Sequence, residues 1–192
     1  VDPLLEKKIV EGLKKGELSS FEEFVKYYQR DIYNIALRFL NNEQDALDVT
    51  QEIFLKVLKK IDSFQGNSKL STWLYRITIN YCKDYVKKYY KHTNLYIDKG
   101  IDGEEGEIYY QLPSDEGEPS MVLEEKLKKE ALYKCIELLE PEFKEVIILK
   151  YINQLSYGEM GEILNIPEGT VKSRLHRGRL NLAKLLKERE LL

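Results

Sequence analysis

Between Thr170 and Arg179 the chain sets hydroxyls and cations at helical spacing: Thr170, Lys172, Ser173, Arg174, Arg177 and Arg179. These side chains suit nucleic acid. A guanidinium makes paired hydrogen bonds to guanine O6 and N7 in a major groove, while Lys, Ser and Thr serve bases or phosphates. A second constellation has the opposite sign. Asp45, Asp48 and Glu52 recur at spacings of three and four, which puts three carboxylates on one helix face with Gln51 beside them. On spacing alone this face is either a docking surface for a basic partner or, by default, a solvated stripe. Arrangements for catalysis are not seen in the sequence. There is no Gly-rich phosphate loop, nucleophile elbow, metal-ligand spacing or triad, and the only histidines are His92 and His176. The expectation is a protein that is not an enzyme, with no cofactor, no metal and no small-molecule substrate.

The basic set needs two short helices and a tight turn to present it. Ser156-Tyr157-Gly158-Glu159 matches a capping box, after which Met160, Ile163 and Leu164 face one way. Asn165-Ile166-Pro167 predicts the break. Asn tolerates left-handed backbone, and Pro belongs at or beside the first position of the next helix. That helix turns Val171, Leu175 and Leu182 inward and leaves the basic residues outside, which makes a helix-turn-helix. The alternative is a solvated basic helix closing a bundle. Gly158 and Gly161 cost the first helix about 1 kcal/mol each relative to Ala unless a close approach needs them.

The rest of the chain is also helical by pattern. Leu5, Ile9 and Leu13 mark a short amphipathic helix ended by Gly16. Ser20-Phe21-Glu22-Glu23 predicts a capped start for a long helix, with Phe21, Phe24, Tyr28, Ile32, Ile35 and Phe39 on one stripe. Asn41-Asn42 ends it and caps the next, which buries Ala46, Val49, Ile53 and Val57. A loop over 63–69 follows. Ser71 is expected to cap a helix with Trp73, Leu74, Ile77 and Tyr81 that runs to about Tyr90. Later helices run from after Ser120 to Leu139 and, opened by Pro141, to Tyr151.

Between them the pattern is lost, and charge is segregated. From His92 to Glu125 ten carboxylates (Asp98, Asp102, Glu104, Glu105, Glu107, Asp115, Glu116, Glu118, Glu124, Glu125) face one Lys99, whereas seven cations against two acids fill Glu168 to Arg189. The net charge of −3 hides this basic C-terminal end, the footprint of a nucleic-acid binder. The fold class is therefore all-α. Two small helical bundles, 1–91 and 121–192, are joined by a flexible acidic linker over 92–120. Cys82 and Cys135 stand far apart without CxxC spacing and fit two half-buried thiols in a reducing compartment. No apolar run approaches the roughly 18 residues that span a bilayer, and no charged-then-apolar leader opens the chain, so a cytoplasmic protein is expected.

Here a resemblance becomes specific. Glu140-Pro141-Glu142-Phe143-Lys144-Glu145-Val146-Ile147, Leu155-Ser156-Tyr157-Gly158-Glu159-Met160 and Ile166 through Arg177 resemble region 4 of the extracytoplasmic-function (ECF) sigma factors of bacterial RNA polymerase. Asp45 through Phe54 and Ser71 through Asn80 resemble their region 2. The blocks stand in the family's order and leave out little besides the linker. Asn165 stands where the family often has Gly, and Gly161 where it often has Ala.

The resemblance implies a division of labour. It assigns Asp45, Asp48, Gln51 and Glu52 to the clamp helices of the largest polymerase subunit, with the flap of the second-largest subunit as a further contact. It assigns the loop after Phe64 and the following helix to unpaired bases of the downstream promoter element. The chemistry there fits. Gln65, Asn67 and Asn80 bring amides, Phe64 and Tyr75 rings that could stack, and Lys69, Arg76, Lys83, Lys87, Lys88 and Lys91 cations that track phosphates. The same amides also cap turns, and for Trp73 a core position is at least as natural. Thr170, Lys172, Ser173, Arg174 and Arg177 would read the upstream element. Promoter DNA and core polymerase are the implied partners, with an anti-sigma factor possible. The competing expectation is a helix-turn-helix regulator that binds operator DNA as a dimer without polymerase, which leaves the region 2 block unexplained.

Overall fold

A computed structural model describes residues 2–93 and 119–189, and the linker expected over 92–120 lies almost wholly outside them. Within them are eight α-helices and no strand. α1 (Pro3–Lys14), α2 (Leu18–Leu40), α3 (Glu43–Lys60) and α4 (Leu70–Thr93) form the first bundle. A single 3-10 turn, Ile61–Ser63, leads out of α3. α5 (Pro119–Glu137), α6 (Pro141–Tyr151), α7 (Tyr157–Leu164) and α8 (Glu168–Glu188) form the second.

Several boundaries follow from local chemistry. Asn41 ends α2 in left-handed backbone (φ 51°), and the Asn42 side chain caps α3 by accepting from the Asp45 N–H. Pro141 opens α6 in the first turn, where its missing N–H is no loss. Two expected caps are corrected. α2 starts at Leu18 behind Glu17, and Ser20 lies inside the helix, buried against α1. The cause is a close crossing: a Cβ on Gly12 would stand 1.9 Å from the Ser20 Oγ. α4 likewise starts at Leu70, one residue before the expected cap Ser71.

The expected stripe of α2 is buried at Phe24, Tyr28, Ile32, Ile35 and Phe39, with Phe21 half-buried beside it. Phe54 of α3 meets Phe24 edge-on at 5.4 Å between ring centres. Buried Thr50 and Thr78 donate to the carbonyls of Ala46 and Leu74 one turn back, so neither hydroxyl is left unsatisfied. Both cysteines are fully buried, deeper than expected, and burial pushes the Cys82 thiol up to about 12.

The two bundles pack on each other, α6 and α5 against α2 and α7 against α4. Buried Lys144 of α6 donates to the Phe39 carbonyl at 3.4 Å, and burial lowers its pKa. The Arg38 guanidinium lies 3.3 Å from the Tyr133 ring centre, and Asn41 Nδ2 donates to Glu137 Oε2 at 2.6 Å.

Candidate nucleic-acid interface

α7 and α8 form the expected helix-turn-helix. Ser156 Oγ accepts from the Glu159 N–H at 3.3 Å, and Glu159 Oε2 accepts from the Ser156 N–H at 3.0 Å, completing the capping box. Asn165 ends α7 in left-handed backbone at φ 55°, ψ 47°, and Pro167 is the N-cap of α8. Gly161 permits a close approach in this turn, since a Cβ there would stand 2.9 Å from the Ile166 carbonyl oxygen and force a shift. A Cβ on Gly158 would meet open space. Val171, Leu175 and Gly178 bury the inner face of α8, and a Cβ on Gly178 would come within 3.3 Å of Phe143 on α6.

On the outer side Lys172, Ser173 and Arg177 are exposed and Thr170 is half-buried. Lys172 pairs with Glu168 one turn back at 2.7 Å, which raises its pKa, and Ser173 Oγ donates to the Thr170 carbonyl at 3.0 Å. Arg174 is held differently. Its guanidinium pairs with Glu142 at 3.0 Å and Glu145 at 3.2 Å on α6.

In the first bundle Gln65, Asn67 and Lys69 are exposed on the loop before α4. Gly66 at φ 75° lets the chain reverse there, and Asn67 Nδ2 donates to Gln65 Oε1 at 3.2 Å. Phe64 and Tyr75 are placed otherwise than expected. Phe64 is buried with its ring 5.2 Å from that of Trp73. Tyr75 is buried and its hydroxyl donates to Asp31 Oδ2 at 2.5 Å; burial first, then Asp31, raises its pKa. Both rings serve the core in this conformation, so the expectation that they stack on bases is corrected: their faces are taken by side chains.

Along α4, Arg76, Asn80, Lys83 and Lys87 recur at spacings of four, three and four, with Asn80, Lys83 and Lys87 exposed. The cations of loop and helix meet the second bundle. Lys69 pairs with Glu159 at 2.8 Å, Arg76 donates to the Glu162 carbonyl, and Lys83 pairs with Glu145 at 2.7 Å. The Lys69 ammonium, then Ser156, holds the Glu159 carboxyl down at about 2. Glu145, its side chain 2% exposed, thus gives one oxygen to Lys83 and the other to Arg174.

None of these contacts uses the acidic face of α3. Asp48, Gln51 and Glu52 are exposed; half-buried Asp45 accepts from the Tyr85 hydroxyl at 2.8 Å and so also ties α3 to α4. On the same helix Leu47, Leu55 and Leu58 are part-exposed at 40%, 50% and 36%.

Residues 24–91 match the family model for Sigma-70 region 2, and residues 129–182 that for Sigma-70, region 4. The chain is 40% identical over 183 residues to the ECF RNA polymerase sigma factor SigW of Bacillus subtilis (strain 168), covering 95% of this chain and 97% of that one. The chain belongs to the ECF RNA polymerase sigma factors. It is also 32% identical to the ECF RNA polymerase sigma-E factor of Escherichia coli (strain K12), over 93% of this chain and 92% of that one. Among solved structures it is similar to the sigma factor RpoE of Bartonella quintana in complex with the anti-sigma factor NepR (25% identity, TM-score 0.64, 88% and 98% of the two chains). It shares the fold of CnrH in complex with the cytosolic domain of CnrY (21% identity, TM-score 0.68, 96% and 98% covered).

As a member of this family the sigma factor directs RNA polymerase to promoters; its region 2 lies in the first bundle and its region 4 in the second. Among the described residues no helix is long and apolar enough to cross a membrane. Two features of the sigma factor escaped the sequence. Glu145 sits in the helix opened by Pro141, and its cations are 62 and 29 residues away, so no local pattern announces its pairing. The exposed leucines of α3 were passed over, although apolar residues off the buried stripe at Leu47, Leu55 and Leu58 were a signal that could have found them.

Proposed function

We propose that this ECF sigma factor is a non-catalytic cytoplasmic adaptor with three separate surfaces. Asp45, Asp48, Gln51 and Glu52 on region 2 (1–91) dock on the clamp helices of the largest polymerase subunit, with the neighbouring leucines adding apolar area. Gln65, Asn67, Lys69, Arg76, Asn80 and Lys83 hold unpaired bases and phosphates of the downstream promoter element, with Phe64 anchoring the loop from beneath. Thr170, Lys172, Ser173, Arg174 and Arg177 of region 4 (121–192) read the upstream element in the major groove, and region 4 rests on the flap of the second-largest subunit. The acidic linker, 92–120, passes through the basic nucleic-acid channel. An anti-sigma factor is a further partner, as NepR is for the Bartonella protein.

One observation carries this division. The exposed amides of Gln65, Asn67 and Asn80 lie with the α4 cations on a bundle separate from the helix-turn-helix. A duplex reader needs only the recognition helix, whereas unpairing costs a few kcal/mol unless extruded bases find new partners. Replacing Gln65, Asn67 and Asn80 with Ala should leave polymerase binding and closed-complex formation intact and sharply reduce permanganate reactivity of unpaired thymines near the start site. A template already mismatched open at the downstream element should restore part of the loss. Duplex opening equal to that of the unmodified protein would move the reader elsewhere in the chain.

A further inference from the structure

α1 precedes the residues that match region 2, and its pattern announces only an amphipathic helix. In the fold it touches the amide-bearing loop at both ends. Lys14 Nζ donates to the Phe64 carbonyl at 2.9 Å, where the chain leaves the 3-10 turn. Glu6 Oε1 accepts from the Leu70 N–H at 2.6 Å, where α4 begins. That N–H belongs to the first turn of α4 and has no acceptor within its own helix; a carboxylate there also meets the positive end of the helix dipole. Glu6 and Lys14 are eight residues apart, about 12 Å along a helix, which suits them to pin two points on a loop. Between them Ile9 and Leu13 are buried, and the Gly12–Ser20 crossing fixes the register of α1 on α2. Between the pins Lys69 pairs with Glu159 of α7 at 2.8 Å. Gly66 sits at positive φ, and the Gln65 and Asn67 amides bond each other.

We propose that Glu6 and Lys14 are positioning residues that set the base selectivity of the loop over 64–69. The inference rests on the proposed role of that loop in holding unpaired bases. A pinned loop presents its amides in one geometry, and a wrong base then leaves an amide unpaired, which is what discriminates. A loop released at one end adapts to many bases and loses discrimination before it loses affinity, because the α4 cations still hold the phosphates.

The test uses holoenzyme reconstituted with core polymerase and a randomised pool of short single-stranded DNA, with enrichment in the bound fraction read by sequencing. Glu6→Ala combined with Lys14→Met should flatten enrichment on the order of tenfold, the scale of one lost base-specific contact. Total DNA bound and affinity for core polymerase should hold. Glu6→Gln and Lys14→Arg keep an acceptor and a donor at the same places and should keep most of the selectivity. Undiminished enrichment in the first pair would overturn the inference. So would an equal loss of selectivity, total DNA binding and core binding that the conservative variants share, because that pattern is general unfolding. Gln65→Ala with Asn67→Ala separates the two layers. If that pair also leaves enrichment intact, the loop is not a base reader and both ideas fall; if it flattens enrichment while the α1 variants do not, only the role of α1 falls.

Discussion

The outer face of α3 and the basic faces of α4 and α8 are both polar surfaces of a sigma factor, yet they meet their surroundings in opposite ways. Asp48, Gln51 and Glu52 stand in solvent with three part-exposed leucines on the same helix. Lys69, Arg76, Lys83 and Arg174 instead have partners within the protein, all but Arg174 across the boundary between regions 2 and 4. The first surface can dock as it stands. To contact DNA as proposed, the second would have to exchange partners, and a carboxylate as buried as Glu145 strongly resists losing its cations unless water or another group replaces them. On the proposed roles, polymerase docking needs no rearrangement of region 2, promoter contact by Lys83 requires the bundles to part, and contact by Arg174 requires only that it leave Glu142 and Glu145 within region 4.

The largest effect should come from the open face. Asp48→Lys with Glu52→Lys puts like charge against a basic partner, which costs several kcal/mol and should weaken core-polymerase affinity about 100-fold or more, with helical circular dichroism unchanged. Unchanged affinity in a titration would remove the contrast between the two surfaces. Next come Arg174→Ala and Arg177→Ala, each expected to cost about 1–3 kcal/mol at the upstream element if it makes a bidentate base contact. Competition between variant promoters distinguishes the two residues. Should Arg177 carry the whole loss, Arg174 would be a packing residue of region 4, and its pairing with α6 permanent. Glu145→Gln should have a smaller effect, about 1 kcal/mol, seen as a larger radius of gyration in the free protein and several-fold tighter binding of short promoter DNA. An unchanged radius would mean that the bundles are held by their apolar contacts.

The smallest effect concerns Glu159. Its native pKa of about 2 lies below the ordinary 4.5, so its pairing with Lys69 and Ser156 stabilises fully above about 4.5 and that stability is lost as the pH falls toward about 2. Thermal unfolding of Glu159→Gln should therefore differ from that of the unmodified protein at neutral pH and converge with it through that window. A constant difference would assign the effect to packing at α7.

Region 4 was the more legible bundle because its instructions are local. The capping box at Ser156 and Glu159, the left-handed Asn165 and the leading Pro141 each act within a few residues, and each sits where the pattern placed it. Ser20 shows why the same signature fails elsewhere. Its spacing to Glu23 suits a cap, but the crossing with Gly12 buries the hydroxyl, and tertiary packing overrides the local preference. Phe64 and Tyr75 fail for a related reason. A ring beside amides reads equally well as a stacking platform or as a core residue, and only Trp73 and Asp31, brought in by the fold, decide it. The candidate surfaces were visible as charge and spacing, but their pairing was not, because Lys83, Arg174 and Glu145 come from distant stretches of chain.

The shared carboxylate of Glu145 has a consequence for how the protein responds to ionic strength. Binding of any DNA weakens as salt rises, since the counterions released by each neutralised phosphate gain less entropy on entering a saltier solution. In the free sigma factor Lys83, Arg174 and Lys69 are already neutralised by Glu145 and Glu159, so passing any of them to a phosphate would expose a carboxylate that takes up cations and offsets those the phosphate releases. The two dependences oppose each other. The free protein should therefore show a shallower fall of DNA affinity with salt than its number of phosphate contacts implies, and the full slope should return once Glu145 no longer competes with the phosphates.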